Sequence, residues 1–387
     1  MKLINSVKEY LEAIQEIKIE NNIFFRGHSC ESYVLVPGIY REVKDKKTLI
    51  EHEEQIYKEV ISKAPQEFLN KTTLETLTLL QHYEAPTRVL DLTENALVAL
   101  YFACINNQEE EGEVIVFDIP NKSVCHYDSD RVTILSNLAK CDDSLQYDSD
   151  FIPLYKNDVI ELENKKVPHT LSASIKRVPD TKQIHVFFKK ETKSIQRKLK
   201  SDYYEIKNFE EDLRKLETKY EKEYTSLNEV HKIVFTNKYI DIIQSTLNTQ
   251  IKKTIKSINE KYFGKLIHHI REDKPYFDSI IDPEDISQVL AVKPKLDNPR
   301  IVRQQGAFLI FGIEQAPFMG FRSYKTMAEL NKSWIIRGLG NERILIDKKN
   351  KGNILEELEQ LGIDQSILFP EVDKVAGFVR TKYQNKL

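Results

Sequence analysis

The sequence has few cysteines, almost no net charge and no long apolar run. Its four cysteines lie far apart, without a Cys-x-x-Cys pair, which argues against a disulfide framework or a structural zinc site and favours a reducing cytoplasm. Basic residues number 57 and acidic residues 60, which gives a net charge of −3. A bulk attraction to nucleic acid or to an anionic membrane is therefore not expected, although a local basic patch is compatible with this balance.

Several motifs are also missing. No segment approaches the ~18 consecutive apolar residues of a membrane span, and the first residues lack the apolar core of a signal peptide. The sequence contains no Gly-x-x-x-x-Gly-Lys phosphate loop, no His-Glu-x-x-His zinc motif and no Gly-x-Ser-x-Gly nucleophile motif. His268 and His269 are neighbours in a predicted helix and face about 100° apart, so they cannot easily share a metal. We expect a cytoplasmic protein without a metal site.

The most informative stretch covers residues 81–104. Its second half, Glu94 to Cys104, has apolar residues at helical spacing and predicts a buried helix, with Thr93 placed to cap it. Its first half, Gln81 to Asp91, is polar and contains the rigid Ala85-Pro86 step. A polar cluster beside a buried helix must satisfy its own hydrogen bonds or face a ligand. The pattern predicts a rigid polar loop or short strand that leads into a core helix.

The rest of the chain alternates between helical and strand-like patterns. Helices are predicted within 3–18, 49–63, 73–80, 130–140, 264–271 and 355–361, and strands at 23–27, 112–118, 301–311 with a polar break at 304–306, 334–337 and 343–346. Between 189 and 262, apolar residues recur three or four apart in a charged background, which predicts a long helical hairpin with an antiparallel coiled-coil seam. Such a hairpin is a solvated structural arm, or a device for self-association or for docking a protein partner.

Three segments resemble the FRG domain. They are Phe25-Arg26-Gly27, the motif Gln81-His82-Tyr83-x-x-Pro-Thr-Arg-x-Leu-Asp-x-Thr, and Asn298-Pro299-Arg300-Ile-x-x-Gln-Gln-Gly-Ala-Phe. The ending from 361 to 373 is similar to the last helix of that domain. Three positions depart from the family pattern: Glu84 replaces a usual Gly, Leu92 replaces a usual Trp, and His28 stands where Gln is common.

These segments imply a domain organisation and a fold. Residues 1–188 would form the N-terminal part of an FRG-type core, 189–262 the inserted helical hairpin, and 263–387 the C-terminal part of the core. We expect an α+β fold, with a small, mainly antiparallel sheet shared between the two parts of the core and wrapped by helices.

The order of the motifs is also similar to that in arginine-type ADP-ribosyltransferases. This second resemblance implies that Arg26 holds NAD, that Thr87 or Thr93 shapes the pocket, and that Gln304 or Gln305 takes the place of the late carboxylate. Because this late residue is not acidic, Glu84 or Asp91 would have to supply the carboxylate that stabilises an oxocarbenium-like transition state.

The candidate site follows from these motifs. The candidate catalytic residues are Arg26, Glu84, Asp91 and Gln305. The candidate binding residues are Gly27, His82, Tyr83, Thr87, Arg88, Thr93 and Gln304.

Structural interpretations of the same residues stay open. Arg26 or Arg88 pairs with Asp91, and loss of a buried pair of that kind costs about 3–5 kcal/mol without any role in catalysis. His82 and Tyr83 pack beside the helix. The Gln305-Gly306 step is either a β-bulge or a place where a backbone approaches a ligand amide closely.

The two resemblances imply a bacterial effector that binds NAD or a related nucleotide and cleaves or transfers ADP-ribose, in a toxin or phage-defence setting. NAD would be a substrate rather than a resident cofactor. The alternative is a non-enzymatic module that binds a ligand or a protein partner, with the hairpin as its docking arm. A nucleic-acid-processing enzyme is disfavoured by the nearly neutral charge.

Overall fold

The computed structural model describes residues 3–142 except 44 and 46, residue 145, isolated positions between 215 and 260, and residues 262–384 except 279, 315–324 and 337–342. The hairpin predicted over 189–262 lies outside the described residues, apart from those isolated positions and residue 262.

The centre of the fold is one mixed sheet. Its described strands are β1 (Leu3–Ile4), β2 (Asn22–His28), β3 (Val89–Thr93), β4 (Gly112–Ile119), β5 (Val124–His126), β6 (Val289–Lys293), β7 (Gly306–Phe311), β8 (Ile335–Ile336) and β9 (Ile344–Ile346). They lie in the order β1-β9-β4-β2-β3-β7-β6-β5, with β8 beside β4. The β1–β9 and β5–β6 pairs are parallel and the other pairs antiparallel. The predicted α+β class is confirmed.

Helices surround this sheet. The described ones are α1 (Val7–Gln15), α2 (Glu53–Lys63), α3 (Thr73–His82), α4 (Ala96–Cys104), α5 (Asp130–Asn137), α6 (262–273), α7 (Pro283–Ile286), α8 (Pro299–Gln304), α9 (Lys351–Gln360), α10 (Gln365–Leu368) and α11 (Val372–Gln384). None of the described helices is both long and apolar enough to cross a membrane. The described connections between helices and strands include short 3-10 turns. These are Gly38–Tyr40, Ile50–His52, Pro65–Phe68, Asn121–Ser123, Leu138–Lys140, Lys332–Trp334 and Lys348–Asn350.

Two groups of helices cover the same face of the sheet. The register pairs Phe25 with Thr93 and Asp91 with Phe308, so these four side chains share one face. Over the half formed by β2, β4 and β9, helices α1, α4 and α9 build one apolar cluster. Over the half formed by β3, β6 and β7, helices α3, α5 and α6 build another. The opposite face carries a third cluster that includes Trp334. The space between the two helix groups lies above the β2–β3 contact.

The β2–β3 contact is a short seam between two well-paired halves of the sheet. Strands β2 and β4 pair through seven residues on each strand, and β3 and β7 through five. Strands β2 and β3 pair at Phe25 and Thr93 alone. Beyond this pair the strands separate, which leaves room for a side chain between their backbones.

The predicted helix at residues 94–104 is confirmed as α4, but its cap is not Thr93. Asn95 is the N-cap residue, and its side-chain oxygen accepts hydrogen bonds from the N–H groups of Leu97 and Val98. Thr93 ends β3; its hydroxyl accepts a bond from Asn95 N at 3.0 Å and donates one to the Gln304 carbonyl at 2.6 Å. Thr93 therefore ties β3 to α8.

The strand predicted over residues 301–311 is wrong in its first half. Asn298 caps the short helix α8, Pro299 occupies its first turn, and β7 begins only at Gly306. An Asn-Pro pair is a helix-start signal, and it outweighs the apolar Ile301 and Val302, which suit either structure. Gln305 ends the helix with a left-handed φ of 45°. The Gln305-Gly306 step is thus a helix end and not a β-bulge.

Two more predictions change in their boundaries. The helix predicted within 3–18 is preceded by the short strand β1, and α1 begins after the cap residue Ser6. In the polar stretch Gln81–Asp91, the first two residues belong to the last turn of α3 and Val89 already begins β3. The strands predicted at 23–27 and 112–118 and the helices at 73–80 and 264–271 are confirmed.

Gly27 allows α4 to lie directly on β2. A Cβ atom at this position would be 2.0 Å from the Ala99 carbonyl oxygen and 2.7 Å from the Ala103 nitrogen. Both neighbours are backbone atoms of a packed helix, so they cannot rotate away. Glycine is therefore required at position 27, because any side chain there would clash with the backbone of α4.

We expect Gly27→Ala to lower the free energy of unfolding by about 1–3 kcal/mol or more, because the added methyl group must push α4 away from the sheet. The control is Gly377→Ala in α11, where a Cβ meets no atom within 4 Å. That change is expected to raise stability by about 0.5–1 kcal/mol through helix propensity. Urea unfolding measures both. Equal stability of the Gly27→Ala variant and the parent would contradict the close contact.

Candidate functional site

A cavity of about 200 Å³ opens above the seam. The helices α3, α4 and α8 and the strands β2, β3 and β7 contribute its walls. Its lining consists of Phe25, Arg26, Gly27, Thr78, Gln81, His82, Asp91, Leu92, Thr93, Phe102, Asn298, Arg300, Ile301, Gln304, Gly306 and Phe308. We call this space the seam cavity. It combines aromatic rings, amide groups, two arginines and one carboxylate.

Arg26 bridges the gap between β2 and β3. Its Nη1 donates to the Asp91 carbonyl oxygen at 2.6 Å, and its Nε donates to His28 Nε2 at 2.9 Å. Burial lowers the pKa of Arg26 to about 10, although the Asp91 carboxylate favours the charged form. The side chain thus stays a cation at neutral pH. Its hydrogen bond to Asp91 goes to the backbone, so the guanidinium charge is not neutralised by a bidentate ion pair there.

A relay of side chains positions the Asp91 carboxylate. The Gln81 amide donates to Asp91 Oδ2 at 3.0 Å, and the Thr87 hydroxyl donates to the Gln81 carbonyl oxygen at 2.8 Å. Thr87 is buried and does not line the cavity. Its contribution is to orient Gln81, which in turn fixes one carboxylate oxygen of Asp91.

A second group closes the rim of the seam cavity. His82 Nε2 lies 3.0 Å from Glu371 Oε1, and Arg300 Nη1 lies 4.0 Å from the same oxygen. The guanidinium of Arg300 also stacks on Phe369, 4.4 Å from the ring centroid. Burial and the Arg300 charge lower the pKa of His82, while Glu371 opposes this shift. Residues that precede α11 therefore reach back to α3 and α8.

The two candidate glutamines lie in different surroundings. Gln304 lines the seam cavity, and its amide donates to the Leu368 carbonyl at 3.0 Å. Gln305 is the left-handed residue that ends α8. It is exposed, and its carbonyl accepts a hydrogen bond from Glu94 N at 2.9 Å.

Tyr83 and Glu84 lie outside the seam cavity. The Tyr83 side chain is 55% exposed and meets His82 edge to face, with ring centroids 4.9 Å apart. Glu84 is exposed just after α3 and has a φ of 65°. Glycine adopts this left-handed conformation without steric cost, so it would suit this position better than glutamate does.

Arg88 is buried behind the cavity in an ion cluster. It is 0% exposed, donates through Nε to Glu53 Oε1 at 2.8 Å and through Nη2 to Glu53 Oε2, and binds the Phe311 carbonyl at 2.9 Å. Lys325 also donates to Glu53 Oε2, at 3.2 Å, and to the carbonyls of Leu138 and Cys141. The expected pairing of Arg88 with Asp91 is therefore replaced by a pairing with Glu53.

Among the candidate residues, the structure brings six together at the seam cavity. They are Arg26, Gly27, His82, Asp91, Thr93 and Gln304. Sequence reasoning missed Gln81, Arg300 and Glu371 as contributors. The first two stand inside quoted motifs, so the motifs themselves were the signal, whereas Glu371 becomes a neighbour of His82 only through the tertiary fold. Within the described residues, no group of three or more His, Cys, Asp or Glu side chains could hold a metal ion.

Residues 21–112 match the FRG domain family. This match confirms the expected resemblance to the FRG domain for that segment. The matched segment contains Arg26, Gln81 and Asp91, while Arg300 and Gln304 of the same cavity lie beyond it. No curated protein and no solved structure matches the chain. The similarity to ADP-ribosyltransferases suggested by the motif order has no support from these comparisons.

The Glu53 cluster generates a stability prediction. We expect Glu53→Gln to lower the free energy of unfolding at pH 7 by about 3–5 kcal/mol, because two buried cations lose their carboxylate. Burial by itself raises the pKa of Glu53, but the charges of Arg88 and Lys325 outweigh it and lower the pKa below its ordinary 4.5. The stabilisation is thus complete above pH 4.5 and is lost as the pH falls through the lower folded value.

Urea unfolding between pH 7 and pH 3 measures this effect. The matched control is Glu59→Gln, which removes a solvent-exposed pair with Lys63 and is expected to cost less than about 1 kcal/mol. A parent–variant difference that stayed constant below pH 4 would contradict the linkage to Glu53.

Proposed function

We propose that the seam cavity of the FRG domain binds a nucleotide, with NAD as the first candidate, and that the reaction is cleavage or transfer of ADP-ribose. The observation that supports this most is the combination of a half-buried arginine cation and a carboxylate in one cavity. A phosphate group and a sugar of the same ligand need these two chemistries within a few ångströms of each other.

The phosphate would bind to Arg26. Its partners in the described residues are an imidazole nitrogen and a carbonyl, both neutral. The guanidinium therefore keeps its positive charge and further N–H groups for an anion. Arg300 lies in the same lining and adds a second cation. A guanidinium fork matches phosphate oxygens in geometry as well as in charge.

The sugar and its base would lie against Asp91 and the aromatic side chains. Phe25, Phe102 and Phe308 line the cavity and offer apolar contact to a ring. The amides of Gln81 and Gln304 fix the polar edge of the same surface. Asp91 has one oxygen held by Gln81, so the carboxylate keeps one orientation when a ligand enters.

In the proposed reaction, the bond between the ribose C1′ and the nicotinamide nitrogen breaks. Nicotinamide leaves with the bonding electrons, and the positive charge that develops on C1′ and the ring oxygen is stabilised by the Asp91 carboxylate. A water molecule or an acceptor nucleophile then forms the new bond to C1′ and loses a proton. Consumption of NAD in this way would suit a toxin or phage-defence effector.

Support for Asp91 over Glu84 comes from position. Both carboxylates are exposed, but Asp91 lines the cavity, whereas Glu84 lies outside it at the left-handed turn after α3. Gln304, which also lines the cavity, is favoured over the exposed Gln305 as the residue that contacts the ligand. Tyr83, Thr87 and Arg88 would contribute through packing and orientation rather than by direct contact.

The test is release of nicotinamide from NAD by the purified chain. We expect release by the parent and a decrease of about 10²–10³ in rate for Asp91→Asn, since a preorganised charge at the reacting carbon is removed. Arg26→Gln is expected to abolish binding as well, seen as loss of the thermal shift on adding NAD.

The matched control is Glu84→Gly, which removes the other candidate carboxylate. It is expected to keep full activity and to gain up to about 1 kcal/mol of stability from the relieved left-handed residue. Loss of activity in Glu84→Gly with full activity in Asp91→Asn would reverse the assignment. A thermal shift with NAD in the absence of nicotinamide release would favour a non-enzymatic binding module.

A further inference from the structure

A second cavity of about 450 Å³ adjoins the seam cavity. Arg26, Gly27 and Phe102 line both spaces, so the two meet at the Arg26 side chain. The seam cavity alone is smaller than the ~300–1,000 Å³ of ordinary ligand pockets, and the two together fall in that range. A ligand as large as a dinucleotide therefore needs both spaces.

The second cavity differs from the first in its charge. Arg26 and Arg41 both line it, and the described residues of its lining include no carboxylate. Arg41 donates through Nε to the Val36 carbonyl at 3.0 Å, which fixes the side chain and leaves its terminal N–H groups for another acceptor. The seam cavity, by contrast, contains Asp91. An anionic group is thus favoured in the second cavity, where no carboxylate of the lining opposes it.

His28 offers a buried donor to the second cavity. It is 3% exposed, and its Nε2 already accepts a hydrogen bond from Arg26. Burial and the charges of Arg26, Arg41 and Arg343 lower the pKa of the ring to about 3, so it is neutral and its proton lies on Nδ1. The Tyr33 backbone lies near the ring, but Nδ1 makes no hydrogen bond of normal geometry. A buried donor without an acceptor is unfavourable, and an anionic acceptor would satisfy it.

Two hydroxyl groups complete the donor set. The Asn107 amide donates to the Tyr33 hydroxyl at 2.7 Å and to Ser29 Oγ at 2.9 Å. Both oxygens act as acceptors in these bonds and keep their own O–H groups for donation. Both residues line the second cavity.

The walls around these donors are fixed by a buried lysine. Lys351 donates to the carbonyls of Ser29, Asn106 and Asn107 at 2.7, 3.2 and 2.9 Å. This ties the loop after β2 to the loop after α4. The donors of the second cavity are therefore held in place without a ligand.

We propose that the second cavity is a phosphate subsite, in which Arg26, Arg41 and Nδ1–H of His28 bind a phosphate of the ligand. Because Arg26 also faces the seam cavity, the ligand carries two linked phosphates, as in a nucleoside diphosphate or its esters, rather than one. The nucleoside part of this assignment rests on the proposed function, whereas the anion site rests on the donors alone.

The experiment is titration calorimetry with AMP, ADP and inorganic pyrophosphate. We expect the parent to bind ADP about tenfold or more tightly than AMP, since a charge-assisted contact is worth about 1.5–3 kcal/mol. Arg41→Gln should bring the ratio of ADP to AMP affinity close to one and weaken pyrophosphate binding by a similar factor. Arg41 is exposed at the surface, so this variant is expected to fold.

His28 provides a paired test. His28→Gln keeps an acceptor for Arg26 Nε and a donor for the phosphate, and is expected to retain the preference for ADP. His28→Leu loses both groups and is expected to lose the preference. Melting temperatures of both variants identify any loss that is due to unfolding, and the Arg41→Gln result holds independently of them.

The outcomes separate the two proposals. Equal affinity for AMP and ADP, unchanged in Arg41→Gln, would overturn the phosphate subsite and leave the proposed function standing. Binding of pyrophosphate that depends on Arg41, without binding of either nucleotide, would support the subsite and count against the proposed function. Absence of binding by all three compounds would overturn the subsite as well.

Discussion

The short contact between β2 and β3 is the constraint on which the site depends. Each strand is fully paired on its other side, and the two meet through a single residue pair. Where the backbones separate, the guanidinium of Arg26 takes the place of a strand N–H and donates to the Asp91 carbonyl. A break in the ladder would otherwise leave this carbonyl without a backbone partner. The same break creates the cavity and brings a cation to it.

Arg88 and Arg26 show how the fold separates a structural charge from one available to a ligand. The Arg88 guanidinium donates through two nitrogens to the Glu53 carboxylate, and Lys325 brings a second cation to the same carboxylate. Arg26 has only uncharged partners among the described residues, and burial disfavours its charged form. In the first arrangement a carboxylate directly opposes the arginine charge. The second favours an incoming anion, because a charge in a low-dielectric site is stabilised by a counter-charge.

Local patterns predicted the elements well where only one structure suited them. The apolar spacing of α4 and the β-branched run of β4 are unambiguous. Ile301 and Val302 suit a helix or a strand, and Asn298-Pro299 decided for the helix. At the site, Asp91 and Arg88 stand three residues apart and therefore point to opposite sides of an extended chain, so a pairing based on their spacing failed. The contact of His82 with Glu371 joins distant segments, which no periodicity encodes.

The pairing of β3 with β7 has a consequence for synthesis of the chain. The Thr93 hydroxyl at the end of β3 and the Gln304 carbonyl just ahead of β7 are bonded to each other, and they lie 211 positions apart. At about 5–20 residues per second, a ribosome needs about 10–40 s to cover that distance. During this interval β3 has emerged with one edge open, and an open edge invites pairing with other chains. The nascent sheet thus keeps an open edge at β3 until β7 arrives, and it forms late because its contacts are so distant in sequence.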